Sequence, residues 1–171
     1  MDEIVLREPR ADDWEAILKL AELSLSEMST VPSQLEWLNN RRSFSAAEGI
    51  QQHFVATSND RIVGYACIEH RDKADAGEYR LFVVVAPSAR TTLGTMLLAK
   101  LRERLLSVGA RRARMAEYEA DAGFISYLET MGFVRLNSFK LEDGSPVVEL
   151  SMDAPFQSLA LPHFKADWIA Q

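Results

Sequence analysis

The sequence predicts one α/β domain, equally well described as α+β, in which a mixed sheet carries helices on both faces. With 171 residues, 47% of them hydrophobic, the chain can bury one sizeable core and leaves little room for a second. Apolar runs with strand character alternate with stretches of helical periodicity. This alternation is typical of a sheet covered by helices.

The first predicted elements are a strand and two helices. EIVLREP, residues 3–9, predicts a strand that ends at its proline. Asp12 or Asp13 is the candidate N-cap of the helix that follows. Apolar residues recur there at helical spacing, at Trp14, Ile17, Leu18, Ala21 and Leu25. After Pro32, SQLE has the form of a capping box and predicts a second helix.

A hairpin and a central strand are predicted next. HFVATSNDRIVGYACIEH, residues 53–70, consists of two apolar runs joined by SND, which predicts an antiparallel hairpin. EYRLFVVVAP, residues 78–87, is apolar enough to be a central strand. A helix is then expected from about Thr92 to Gly109, because leucines recur at Leu97, Leu98, Leu101 and Leu105.

The last predicted elements are a strand, a helix and a second hairpin. ARMAEYE predicts the strand, AGFISYLETM a helix that ends at Gly132, and FVRLNSFKLEDGSPVVELSM a hairpin around DGS. The tail has apolar residues without clear periodicity. We therefore expect one domain over residues 1–152 and a C-terminal extension, whose role the sequence does not assign, over residues 153–171.

Composition narrows the class of protein. A net charge of −6 and a pI near 5.1 argue against general nucleic-acid binding and mildly favour a cationic or amine substrate. No apolar run approaches the ~20 residues of a membrane span, and the N-terminus lacks the apolar centre of a signal peptide. Cys67 is the only cysteine, and no Cys/His cluster has metal-ligand spacing. We expect a cytoplasmic protein without a metal, a nucleic-acid partner or a membrane; a homodimer stays open.

The stretch VVVAPSARTTLGTMLLAKL, residues 83–101, passes from a strand through a polar turn into a helix. The first N–H groups of such a helix are unpaired and the helix dipole adds positive charge, so the turn suits an anion. Arg90, Thr91 and Thr92 offer further donors, and Gly94 permits close approach. The alternative is a solvent-facing loop with Thr91 as an ordinary N-cap.

Two motifs resemble those of the GCN5-related N-acetyltransferases, the GNAT superfamily. VVAPSARTTLG is similar to the V-x-P…R-x-x-G-x-G signature, whose turn holds the pyrophosphate of acetyl-CoA. FISYLETMGF, residues 124–133, resembles the second motif, a helix that ends in Gly-Phe. The resemblance covers residues 3–152 and implies a mostly antiparallel central sheet flanked by helices on both faces.

The resemblance also implies acetyl-CoA as co-substrate. The residues implied to bind it are Val84, Val85, Arg90, Thr91, Thr92, Leu93, Gly94, Thr95 and Tyr127. Backbone N–H groups near Val84 and Val85 would polarise the thioester carbonyl. The turn is one residue shorter than the usual signature, so either Thr92 or Leu93 stands where the first motif glycine belongs, and Arg90 or Ala89 where the first basic or amide residue belongs.

In the implied reaction, the acceptor amine attacks the thioester directly in a ternary complex. An alkylamine with a pKa of ~10.4 is only about 0.1% neutral near pH 7.4, so a carboxylate near the strand ends is the natural base. Glu117 and Glu119 share one face of their strand, and the family's spacing matches Glu119, our first candidate catalytic residue. Glu78, at the start of the central strand, is the second. The alternative is that Glu119, and likewise Glu78, is a solvated carboxylate at a strand edge without a catalytic role.

The family's tyrosine, the acid for the departing thiolate, corresponds here to Leu128. Tyr127 is adjacent, but one residue along a helix turns the side chain by ~100°. A thiol pKa near 8.5 lets the thiolate leave without a dedicated acid. The second helix forms one wall of the acceptor pocket in the family, which implies that Trp37, Asn40 and Arg41 bind substrate; Trp37 is equally well interpreted as a core residue.

Two functions from different classes follow. One is an N-acetyltransferase that uses acetyl-CoA to modify a primary amine of a small molecule or peptide. The other is a non-catalytic acyl-CoA-binding sensor or regulatory module, suggested by the missing tyrosine and the altered glycines. A different nucleotide-binding domain is disfavoured, because neither G-x-G-x-x-G nor G-x-x-x-x-G-K-[ST] occurs.

Overall fold

The computed structural model of the protein describes residues 3–26, 50–70, 77–86 and 90–156. Seven strands and three helices lie in these ranges. In chain order they are β1 (Ile4–Arg7), α1 (Trp14–Ser26), β2 (Ile50–Ser58), β3 (Arg61–His70), β4 (Glu78–Val85), α2 (Arg90–Ser107), β5 (Arg112–Tyr118), α3 (Ala122–Thr130), β6 (Val134–Lys140) and β7 (Pro146–Asp153). A 3₁₀ turn, Ala11–Asp13, leads into α1.

The seven strands form one sheet in the order β1-β2-β3-β4-β5-β7-β6. Neighbouring strands run antiparallel except β4 and β5, which are parallel. Parallel strands need a crossover, and α2 supplies it between these two. The sheet is mixed and mostly antiparallel, as expected.

Helices cover both faces of this sheet. α2 packs on β2, β3 and β4, whereas α1 packs on β3 and β4 from the other side. Side chains alternate accordingly along β4, where Val83 and Val85 join the core under α2, and Phe82 and Val84 join the core under α1. This double burial explains the unbroken apolar run that identified β4 as central.

Both α2 and α3 end in a Schellman motif. After α3, the N–H of Gly132 bonds to the carbonyl of Glu129, and that of Phe133 to the carbonyl of Leu128. Gly132 has φ 99°, a conformation that favours glycine, and Phe133 is buried against the core. Gly109 ends α2 in the same way, with φ 67°. The Gly-Phe sequence at the end of α3 is therefore explained by this motif: Gly132 supplies the positive φ, and Phe133 packs against the core.

The observed elements differ from the predicted ones mainly at their ends. α2 begins at Arg90, two residues before the predicted start, and β2 begins at Ile50 instead of His53. Asp13 lies in the 3₁₀ turn, where its carboxylate accepts hydrogen bonds from Arg7 and from the N–H of Arg10. The predicted second helix lies outside the described residues.

The described core continues past the predicted domain boundary at residue 152. Phe156 is 1% exposed, and its carbonyl accepts a hydrogen bond of 2.8 Å from Arg102 Nε on α2. The boundary between residues 152 and 153 stays a prediction. Among the helices described, none combines the length and apolar character needed to cross a membrane.

Candidate active site

The site begins at a gap between the two central strands. β4 and β5 pair only over residues 78–80 and 112–114, respectively. Beyond this pairing, β4 remains bonded to β3 as far as Val85, and β5 to β7 as far as Tyr118. The two strands therefore separate, while β4 stays paired with β3 and β5 stays paired with β7. The sheet is open between β4 and β5 beyond residues 80 and 114.

Backbone direction decides which groups of β4 face this gap. The N–H of Ala86 donates to the carbonyl of Val63 on β3 at 2.8 Å. Successive residues of a strand direct their backbone N–H and C=O groups alternately to the two sides of the strand. Val84 therefore also points these groups toward β3, whereas Val83 and Val85 point theirs toward the β5 side. Of the two predicted carbonyl-binding residues, Val85 has the favourable backbone direction and Val84 does not.

The N-terminus of α2 follows β4 at the mouth of the gap. Its first N–H groups and its dipole make this end attractive to an anion. Thr92 is exposed there, whereas the side chain of Leu93 is 3% exposed and belongs to the core. For Arg90 and Thr91 the structure describes the helical backbone but not the side chains.

Gly94 leaves open space in this first part of α2. The residue is buried, yet a Cβ built on it meets no described atom within 4 Å. Space beside a buried glycine, next to the N–H groups of a helix start, suits a diphosphate that must approach the backbone closely. The geometry fits the anionic part of the cofactor implied by the resemblance.

Tyr127 links α3 to α2. Its hydroxyl shares a hydrogen bond with that of Thr95, which is 5% exposed, and its ring stacks on Phe124 at a centroid distance of 5.8 Å. Burial raises the pKa of Tyr127, although the bond to Thr95 acts in the opposite direction. The phenol therefore stays protonated at neutral pH. Leu128, which the resemblance places at the position of the family's tyrosine, is 0% exposed.

Two carboxylates stand at the end of β5. Glu119 is exposed and follows the last residue of the strand, where its N–H donates to the carbonyl of Pro146 at 3.0 Å. Glu117 is 3% exposed and lies on the face of β5 that carries Met115, the face under α2 and α3. Sequence reasoning placed both on one face but passed over Glu117. Glu117 is the second-to-last residue of β5, and the alternation of side chains along the sequence does not by itself predict its burial.

Glu78 lies at the other end of β4, before the strands part. Arg114 Nε stands 2.7 Å from its carboxylate, and Arg114 Nη1 stands 3.4 Å from that of Glu149 on β7. The structure therefore places Glu78 apart from the α2 N-terminus and from Glu119. Trp37, Asn40 and Arg41, the predicted acceptor-binding residues, lie outside the described residues.

Comparisons with known proteins agree with this geometry. The family model described as "Acetyltransferase (GNAT) family" matches residues 14–133. A comparison with curated proteins finds no match.

Solved structures share the fold at low identity. A GNAT-family acetyltransferase from Streptococcus pneumoniae is 21% identical, with 88% of this chain and 99% of that chain covered and a TM-score of 0.67. A ribosomal-protein-alanine N-acetyltransferase from Brucella melitensis is 21% identical, with 87% and 99% covered and a TM-score of 0.67. A Salmonella typhimurium protein solved with its cofactor acetyl-CoA is 17% identical, with 89% and 94% covered and a TM-score of 0.67. These likenesses concern the fold.

Proposed function

The chain belongs to the GNAT family of acetyltransferases, and from that premise we propose that it transfers an acetyl group from acetyl-CoA to a primary amine of a small molecule or peptide. One observation supports the proposal most strongly. The start of α2, with open space at Gly94, lies at the gap where β4 and β5 part. An anion-binding helix start and a split sheet together provide for the diphosphate and for the acyl end of an acyl-CoA.

The residues that would hold acetyl-CoA come from β4, α2 and α3. The first turns of α2, from Arg90 to Thr95, would hold the diphosphate through backbone N–H groups and hydroxyls. Tyr127 would border the pantetheine arm, since its hydroxyl already contacts Thr95. Backbone near Val85 would stabilise the carbonyl oxygen.

The chemistry divides between the cofactor and the chain. Acetyl-CoA supplies an acyl group activated as a thioester. The chain would hold the acceptor beside it, and a carboxylate would bind the ammonium or accept its proton. Glu119 remains our candidate for that carboxylate, and its exposure at the end of β5 leaves it open to an acceptor.

Leu128 favours a second candidate function. A buried leucine stands at the position of the family's proton donor, which would suit a module that binds acyl-CoA and does not use it. The modest pKa of a thiol speaks for retained turnover, because the thiolate can leave without a dedicated acid.

Binding and turnover measured together test the proposal. We expect calorimetry to detect acetyl-CoA binding and an amine panel to release free CoA. Binding without release across broad panels would favour the sensor. No binding of any acyl-CoA would contradict both functions.

A further inference from the structure

β6 forms one edge of the sheet, and much of its exposed surface is apolar. The strand order ends at β6, so among the described strands only β7 pairs with it. Every residue of β6 is exposed, and the exposed fractions of Val134, Leu136 and Phe139 are 64%, 45% and 43%. An edge strand presents unpaired N–H and C=O groups, which proteins commonly protect with charges or prolines. Residues 136–139 contain neither, so this edge is suited to pairing with another strand.

A β-bulge near the middle of β6 changes which of its side chains share a face. On β7, Ser151 is the partner of Val134 and Val147 is the partner of Phe139, and the register of β6 shifts after Arg135. Ser151 and Val147 are four residues apart in the regular part of β7, so they lie on one face of the sheet. Val134 and Phe139 therefore share that face, although residues five positions apart on a regular strand lie on opposite faces.

The bulge makes β6 complementary to a second copy of itself. Two such strands can lie antiparallel about a twofold axis between residues 136 and 137, which puts Val134 of each copy opposite Phe139 of the other. Because the bulge brings these two side chains to the same face, they would contact each other in both symmetric pairs. Aromatic and β-branched residues are favourable cross-strand partners. In a regular strand, the same pairing would put them on opposite faces of the sheet.

The charges at the two ends of β6 also match in this arrangement. α3 ends just before β6, so the negative end of its dipole and the carboxylate of Glu129 lie near the start of the strand. Lys140 is exposed at the other end of β6, on the face that carries α3. The antiparallel pairing puts Lys140 of one copy opposite Phe133 of the other, beside that helix end. Arg135 is opposite Ser138, so no like charges meet.

We propose that β6 is the interface of a symmetric homodimer, in which the β6 strands of two copies pair antiparallel and join the two sheets edge to edge. The partner at this edge is therefore a second copy of the chain. The paired strands are short, so the interface is small and a dissociation constant in the micromolar range is expected. β5 and β7 separate this edge from the gap beside β4, and the inference does not depend on the proposed function.

Sedimentation equilibrium of the full chain tests the interface. We expect wild-type protein to dimerise as its concentration rises through the micromolar range. Phe139→Glu should raise the dissociation constant at least about 30-fold, because the change occurs twice in a twofold interface. Adding Val134→Lys to this variant should restore dimerisation to within about tenfold of wild type, through two new ion pairs between the copies. The two positions are about 17 Å apart on one strand, so only contact between copies can produce this rescue.

Val5→Glu is the matched control, because Val5 is 45% exposed on β1, the opposite edge of the sheet. We expect it to leave the dissociation constant unchanged. Thermal unfolding at concentrations below that constant should show that all variants fold. A wild-type monomer throughout the micromolar range would overturn the inference. Wild-type affinity in Phe139→Glu, an equal effect of Val5→Glu, or a double variant that stays monomeric would overturn it as well.

Discussion

Gly94 permits the most direct test of where the cofactor binds. We expect Gly94→Glu to abolish acetyl-CoA binding, because the new side chain fills the open space and places a negative charge where the diphosphate belongs. The thermal midpoint should stay close to wild type, since a Cβ meets no described atom within 4 Å. Calorimetry measures the first effect and scanning calorimetry the second.

Gly94→Ala is its control. The methyl group enters open space and alanine favours the helix by up to ~1 kcal/mol, so folding should be retained or improved. Affinity close to wild type in the Glu variant would show that the diphosphate binds elsewhere.

Glu119 and Glu117 form a matched pair at the residue scale, two positions apart with opposite burial. We expect Glu119→Gln to lower turnover by at least about 100-fold with little change in acetyl-CoA affinity, because a base acts on the amine and not on the cofactor. Single-turnover kinetics and calorimetry separate the two effects. Full turnover in Glu119→Gln, with loss in Glu117→Gln, would assign the role to the buried carboxylate.

At the scale of elements, Asp13 joins β1 to the start of α1. Arg7 Nη1 and Nη2 donate to its carboxylate at 2.6 and 2.9 Å, and the N–H of Arg10 donates at 2.6 Å. The hydrogen bonds from Arg7 lower the pKa of Asp13 below its ordinary value of 3.8. A lowered pKa in the folded state means that the ionised carboxylate stabilises the fold at neutral pH.

We therefore expect Asp13→Asn to lower the free energy of unfolding by about 1–2 kcal/mol at pH 7. The difference from wild type should persist above the unfolded pKa and disappear as pH falls through the lower folded pKa. Urea unfolding at several pH values measures it. Glu15→Gln, which breaks an exposed i,i+4 pair with Lys19, should cost less than about 0.5 kcal/mol. A pH-independent difference would show that Asp13 acts by packing alone.

At the scale of the whole molecule, the core extends beyond the last strand. Phe156→Ala should cost about 3–5 kcal/mol, because the ring is 1% exposed and its loss leaves a cavity. Phe139, which is 43% exposed on β6, provides the control, and its replacement by alanine should cost under about 1 kcal/mol. Chemical denaturation measures both. Equal costs would place Phe156 outside the cooperative core.

Patterns that act locally were predictable from the sequence. Gly109 and Gly132 end helices through bonds to residues a few positions away, so the glycines alone marked both ends. The valines of β4 indicated a central strand because burial on both faces removes polar alternation. The hairpin turn at Asn59 and Asp60, both with positive φ, likewise depends on adjacent residues.

Features that depend on long-range register were not predictable. Alternation placed Glu117 and Glu119 on one face, but β5 ends between them, at Tyr118, and only the three-dimensional packing buries one of them. The contact between Arg114 and Glu149 likewise depends on how β5 and β7 align, across 35 residues of chain. The roles predicted for Glu119, Glu78 and the cofactor-binding residues stay predictions.

The short pairing between β4 and β5 also bears on how the molecule opens and closes. It divides the sheet into a four-stranded half, β1 to β4, and a three-stranded half, β5 to β7, joined edge to edge by three residue pairs. A ligand bound between the two halves of the sheet would contact both of them, and its binding free energy would stabilise their short contact. Amide hydrogen exchange should therefore slow in β3 and β7 together when acetyl-CoA is added. Protection confined to the start of α2 would mean that the two halves move as one without the ligand.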